Sequence, residues 1–211
     1  MYQRTKEKNK LVYQVGKRLF DIVFSLIVLI ALLPFLLAVA LLIFLNDPNG
    51  SPFYVHTRIG KDGKPFRMIK FRTMFVNAEA MLDALRGQNE RDKIVFKIKD
   101  DPRITGFGKH LRRYSIDELP QFVNVLLGSM SVVGPRPPVP EEVEEYNELQ
   151  MRRLSVKPGL TCYWQIMPQR YSCGFDDWVA SDLEYIEDRS FRTDLQIIGK
   201  TVKCVFYGSG E

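Results

Sequence analysis

Between Ile22 and Leu45 the chain runs through 24 consecutive residues without a charge. A straight helix over them would measure about 36 Å, and a bilayer core is about 30 Å thick. A cleaved signal peptide fits poorly, because the run is too long and no small-x-small site follows it. Pro34 falls at its centre. A proline there removes one helix hydrogen bond and presses on the carbonyl of Ile30. Both flanks are basic: Lys17 and Arg18 precede the run, and Arg58, Lys61, Lys64, Arg67, Lys70 and Arg72 follow it. Positive residues mark the cytoplasmic side of a membrane, so a simple span would strand one flank outside. Two readings stay open, a kinked span and a re-entrant helix-break-helix with both ends cytoplasmic.

The net charge of +5 in 211 residues belongs to the N-terminus. Arg4, Lys6, Lys8, Lys10, Lys17 and Arg18 stand against Glu7 alone, and the remaining 24 basic and 24 acidic residues cancel. That distribution suits an anionic membrane surface and speaks against a nucleic-acid partner. The cysteines Cys162, Cys173 and Cys204 are odd in number and lack C-x-x-C spacing. Buried or half-buried thiols in a reducing compartment are expected. The chain divides into a basic flank with a membrane segment (1–47) and a catalytic-sized unit (48–211) with one core.

In that unit, Lys61-Asp62-Gly63-Lys64 between β-prone runs predicts a hairpin over Phe53–Thr73. Residues 77–86 read as a helix capped by Asn77, and 90–103 as irregular. Leu119, Phe122, Val123, Leu126 and Leu127 form an i, i+3, i+4 stripe ending at Gly128. Pro135, Pro137, Pro138 and Pro140 stiffen the chain around Arg136. Helices are expected over 141–154 and, with amphipathic character, over 191–207. The fold class is α/β, mainly helical with a small β-hairpin. The C-terminal helix suits either the core or a membrane surface.

Asp117 and Glu118 stand in SIDELPQFVNVLLG. Ser115-x-x-Glu118 matches a capping box, and acids in a first helical turn complement its dipole. The same position favours bound phosphate. Arg112 and Arg113 lie just upstream, and Lys70, Arg72 and Arg136 end apolar or proline-rich segments. A carboxylate that attacks a phosphate needs such cations, together with a divalent metal for which an adjacent Glu is a suitable ligand. Spacing alone does not bring these residues together.

The sequence resembles the bacterial sugar transferases, the monotopic phosphoglycosyl transferases. The likeness starts at Lys17-Arg18-x-Phe20-Asp21 and continues through Arg58-Ile59-Gly60 and Lys70-Phe71-Arg72-Thr73-Met74. Asp101-Pro102-Arg103-Ile104-Thr105, Asp117-Glu118-Leu119-Pro120-Gln121 and Gly134-Pro135-Arg136-Pro137 complete it. The resemblance implies a nucleotide-diphosphate sugar donor, a polyprenyl (undecaprenyl) phosphate acceptor and Mg²⁺. Asp117 matches the nucleophile, which takes up the sugar phosphate and releases UMP. Glu118 matches the metal ligand, and Lys70, Arg112 and Arg136 match phosphate-site positions, to which Arg72 is added here. Pro34 matches a helix break that returns the chain to one leaflet. The resemblance further implies the bacterial cytoplasmic membrane, a catalytic unit facing the cytoplasm, surface-glycan synthesis and a short form of the family, and it leaves a homo-oligomer open.

Two departures bear on the donor. Many relatives carry Gly after Lys-Pro-Gly-[Ile/Leu]-Thr, where this chain has Cys162. Met167-Pro168-Gln169-Arg170 also replaces a tighter turn. The competing reading is a non-catalytic membrane adaptor in which Asp117 and Glu118 only cap a helix and the basic residues bind anionic lipid.

Overall fold

The computed structural model describes residues 2–78, 80–81, 101–167 and 173–207, with side chains described from residue 11. It opens on α1 (Tyr2–Asn46), a helix that continues through Pro34. From Leu11 to Asn46 it is long and apolar enough to cross a membrane. Leu26, Ile27, Ile30, Leu33, Phe35 and Leu37 in its middle are exposed. Its two flanks are docked on the rest of the protein. Phe20, Phe24, Val28 and Leu29 pack on the central core, and Val39 and Ile43 are buried against Phe71 and Leu111.

The hairpin forms as predicted. β1 (Phe53–Ile59) pairs antiparallel with β2 (Pro65–Phe71), Phe53 opposite Phe71 and Ile59 opposite Pro65. Asp62 and Gly63 turn it at φ 58° and 74°, left-handed values that Asp and Gly tolerate. The helix expected over 77–86 falls mostly outside the described residues, and its described part is turn. Of the irregular 90–103 stretch only 101–103 are described. There Arg103 grips Asp101, with Nε 2.9 Å from Oδ1 and Nη2 2.6 Å from Oδ2.

Next come α2 (Gly106–Arg113), a 3₁₀ turn (Ile116–Glu118) and α3 (Gln121–Leu127). Thr105 caps α2 through a bond from the Gly108 amide. A Cβ on Gly108 would fall 2.1 Å from the Thr73 carbonyl oxygen, so only glycine allows this approach. The stripe expected on α3 is rotated. Gln121, Phe122, Asn124 and Val125 are buried, whereas Leu127 is 74% exposed. The inward polar residue explains the difference: Asn124 Oδ1 accepts from the Ile69 amide at 3.0 Å and its Nδ2 donates to the Arg67 carbonyl at 2.7 Å. Asn124 thereby extends the open edge of β2, satisfying backbone groups that an apolar side chain would leave orphaned.

A second, parallel pair joins β3 (Ser131–Val133) to β4 (Gly159–Thr161). Beyond β3, Gly134 meets Gly159 so closely that a Cβ on Gly159 would lie 2.0 Å from the Gly134 nitrogen. The helix expected over 141–154 is broken into α4 (Pro140–Glu144), α5 (Glu148–Met151) and a 3₁₀ turn (Arg152–Ser155). Asn147 restarts it with a reciprocal capping box to Gln150, a signal that outweighs helical periodicity at that point.

α6 (Phe175–Asp188) and α7 (Phe191–Phe206) close the molecule. α7 is amphipathic and turns one face to the core: Asp194 and Ile197 are buried, while Leu195, Val202 and Phe206 are exposed. Asp194 ties α7 to α1, accepting from Tyr13 at 2.9 Å and from Lys17 at 2.8 Å. It also accepts from Tyr185 on α6 at 2.8 Å. The three cysteines are free, Cys162 buried and the other two half-buried, as expected.

Candidate active site

The 3₁₀ turn that carries Asp117 and Glu118 is wedged between α2 and α3. The capping box expected from Ser115 does not form. Ser115 adopts a left-handed conformation at φ 52° and its side chain makes no cap bond. Such a backbone is unfavourable for a non-glycine residue and marks places where geometry outranks local stability. The two acids therefore do not cap a continuous helix, and the adaptor reading loses the local motif on which it rested.

Asp117 is 7% exposed. Burial pushes its carboxyl up to about 6, with Glu118 adding to the rise while Lys70 and Arg112 pull it back. Glu118 is half-exposed and accepts from Lys70 Nζ at 2.9 Å. The two acids thus have different environments, one held near neutral pH and one paired with a cation, a division common among carboxylates that react.

Lys70 projects from β2, whose register to α3 is held by Asn124. It shares a recess with Glu118, Arg58, Gln121, Arg136 and Gln165. Arg136 arrives from the proline-rich segment. That segment is clamped on both sides, by the Ile59 amide on the Pro138 carbonyl and the Gly159 amide on the Pro135 carbonyl, each at 2.9 Å. The Arg136 guanidinium lies 5.7 Å from the Trp164 ring, within cation–π range.

The predicted cations are thus divided. Lys70 and Arg136 line the recess with Glu118. Arg112 does not line it; its charge reaches Asp117 while its Nε donates to Thr73 Oγ1 at 2.9 Å. Arg72 is placed elsewhere: Nη1 is 3.0 Å from Asp47 Oδ2 and Nη2 also bonds the Gly50 carbonyl at 3.2 Å. It lines a separate hollow with Ile43 and Phe107, anchoring the end of α1. In a strand, residues two apart share a face, so Lys70 and Arg72 would lean the same way. β2 ends at Phe71, and beyond it that alternation lapses. Arg58, which the sequence reading placed in the basic flank and the family-specific string but not among the site residues, also lines the recess. Its signal was present, since Tyr54 opposite Lys70 and Arg58 opposite Phe66 put Arg58 and Lys70 on one face of the hairpin.

Among the described residues no group of three His, Cys, Asp or Glu side chains gathers to hold a metal. One half-exposed carboxylate beside a buried one still fits Mg²⁺, which often takes one or two protein carboxylates and completes its shell with water and substrate phosphate.

The model of the family described as "Bacterial sugar transferase" matches residues 12–208. The galactosyl transferase CpsE of Streptococcus agalactiae serotype III (strain NEM316) is 43% identical over 93% of this chain and 43% of its own length. The exopolysaccharide production protein ExoY of Sinorhizobium fredii (strain NBRC 101917 / NGR234) is 40% identical over 93% of this chain and 88% of its own. The UDP-glucose:undecaprenyl-phosphate glucose-1-phosphate transferase of Escherichia coli (strain K12) is 41% identical over 88% of this chain and 39% of its own. The chain thus spans less than half the length of two of these three relatives. With its match running almost end to end, and with Glu118 lining a cation-rich recess next to the buried Asp117, the chain belongs to the bacterial sugar transferase family.

Proposed function

We propose that this protein transfers a hexose 1-phosphate from a UDP-sugar to a polyprenyl phosphate, with Asp117 as nucleophile, in the synthesis of a surface glycan. The observation that carries the reading is the buried Asp117 carboxyl beside a Lys70–Glu118 ion pair. The relatives' names, which include a UDP-galactose-lipid carrier transferase and an undecaprenyl-phosphate galactose phosphotransferase, supply the substrate class.

The Asp117 carboxylate attacks the phosphorus that bears the sugar. The bond from that phosphorus to the bridging oxygen breaks, and UMP leaves with its electron pair. In the second half, an oxygen of the polyprenyl phosphate attacks the same phosphorus. The acyl–oxygen bond to phosphorus then breaks and regenerates the carboxylate. Lys70 and Arg136 offset the repulsion between carboxylate and phosphate. Arg112 holds Asp117 more ionised than burial alone would. Glu118 would hold Mg²⁺, which supplies charge neutralisation on the diphosphate.

For α1 we propose a re-entrant insertion that bends at Pro34 within a helix continuous there, with the catalytic unit at the cytoplasmic face. Its support is that both flanks of the uncharged run are tied to one body. Arg18 donates to the carbonyls of Val125 at 2.6 Å and Leu126 at 2.8 Å, while Asp47 holds Arg72. A span would have to put one of these polar attachments across the bilayer from the other.

The test is UMP release from a panel of UDP-sugars with undecaprenyl phosphate, run alongside capture of radiolabelled sugar on the protein. Wild-type chain is expected to release UMP and retain label, and Asp117→Asn to do neither. UMP release by Asp117→Asn at the wild-type rate would exclude the nucleophile assignment.

A further inference from the structure

Arg58 has no place in the chemistry derived above, yet its environment is unusual. Its Nη1 donates to the Pro137 carbonyl at 3.1 Å. Its Nε is buried and has no hydrogen-bond partner among the described residues. Burial, and then the neighbouring Arg136, lower its pKa to about 10. The carboxylates of Glu142 and Glu118 act in the opposite sense. Glu142 serves both arginines and is itself pushed up by burial, while one oxygen of Glu118 is engaged by Lys70. Arg58 thus shares the recess with the Arg136 guanidinium and keeps one buried donor, its Nε, without a partner among the described residues. Buried donors left unmatched are costly unless a ligand completes them.

The recess has two cationic ends. Lys70 stands beside Glu118 at one, and Arg58 with Arg136 forms the other. Register sets the two Cα positions four residues apart along the hairpin, Tyr54 facing Lys70 and Arg58 facing Phe66, or about 13 Å before the long side chains converge. Asp117 neighbours Lys70, so a phosphorus under attack sits at that end. An anionic group joined to it would fall toward the arginines.

We propose that Arg58 is a phosphate-binding residue, forming with Arg136 a two-arginine cradle for a phosphate group beyond the one attacked. This rests on the reading of the recess as a phosphate site. A diphosphate donor and a lipid phosphate offer the same kind of chemistry to the cradle, an anionic tetrahedral phosphoryl group that paired arginines recognise well.

The test separates anion binding from turnover by using the full chain in detergent with Asp117→Asn as background. Trp164, 5.7 Å from Arg136, provides an intrinsic fluorescence signal. Inorganic pyrophosphate, UMP and a short-chain polyprenyl phosphate are titrated separately. Arg58→Gln is expected to weaken at least one of these ligands tenfold or more. Loss confined to pyrophosphate and UMP assigns the cradle to the nucleotide, and loss confined to the polyprenyl phosphate assigns it to the lipid. Arg58→Lys, which keeps charge but not the fork, is expected to lose less affinity than Arg58→Gln and serves as the deciding variant if Arg58→Gln does not fold. Unchanged affinity for all three ligands, or no binding by the Asp117→Asn background, overturns the proposal. Arg58-dependent pyrophosphate binding in a chain that shows no UMP release would leave the cradle standing and remove the transferase reading.

Discussion

Asp117 is held against its own preference. A carboxyl whose folded pKa is raised above its unfolded value destabilises the native state once pH exceeds the folded value, and ceases to do so below the unfolded one. With the carboxyl moved from 3.8 to about 6, Asp117→Asn is expected to stabilise the protein at pH 8 by on the order of 2–3 kcal/mol. That gain should fade between pH 6 and pH 4, and thermal unfolding of the two proteins across this range checks it. An equal midpoint at pH 8 would mean the carboxyl is not strained. On the proposed mechanism the same titration governs activity: donor turnover at saturating lipid should fall as pH drops through 6, where Asp117 takes up a proton. Asp117 and Glu118 could be named from their motif. Their unequal roles could not, because burial depends on what α2, β2 and α3 stack around the 3₁₀ turn.

At the scale of elements, two polar devices fix the frame. Asn124 sews α3 to β2 and so sets the distance between Lys70 and the turn bearing Glu118. Asn124→Leu would orphan the Arg67 carbonyl and the Ile69 amide, an expected loss of about 1–3 kcal/mol for each buried group left unsatisfied. Turnover should suffer beyond the stability loss, and activity assayed well below the unfolding midpoint separates the two effects. The second device is the fully buried pair of Arg153 and Asp182, with Nε and Nη2 both 2.7 Å from Oδ2. Arg153 also donates to the Tyr146 hydroxyl at 2.7 Å. Arg153→Met is expected to cost about 3–5 kcal/mol by leaving Asp182 buried without its cation, and Arg153→Met with Asp182→Leu should recover much of that in urea unfolding. The hairpin turn was readable in Asp62-Gly63, where two residues decide the matter locally. The breaks at Asn147 and after Ser115 were not read, since each sets one local signal against another and tertiary packing chooses between them.

For the whole molecule, the decisive element is α1. Its apolar middle is exposed while both ends are bonded to one body. Reporter tags at the two termini are expected to label from the cytoplasmic face only, and labelling from opposite faces would rule out re-entry. Pro34→Leu should favour a straight span and so weaken the docking of Val39 and Ile43 on Phe71 and Leu111. Protease accessibility of the following hairpin would report that loosening.

The sequence by itself determined the uncharged apolar segment, its proline, the hairpin, the closing amphipathic helix and the acidic pair. Each is written in neighbouring residues, through an uninterrupted lack of charge, a turn dipeptide, a 3.6-residue period or a family-specific string. Only the tertiary structure decided that Lys70 and Arg136 share the recess with Glu118, that Arg72 instead secures α1, and that Arg58 takes a place beside Arg136. These residues lie far apart in the chain, and a long cationic side chain goes wherever folding puts a carboxylate or carbonyl within reach.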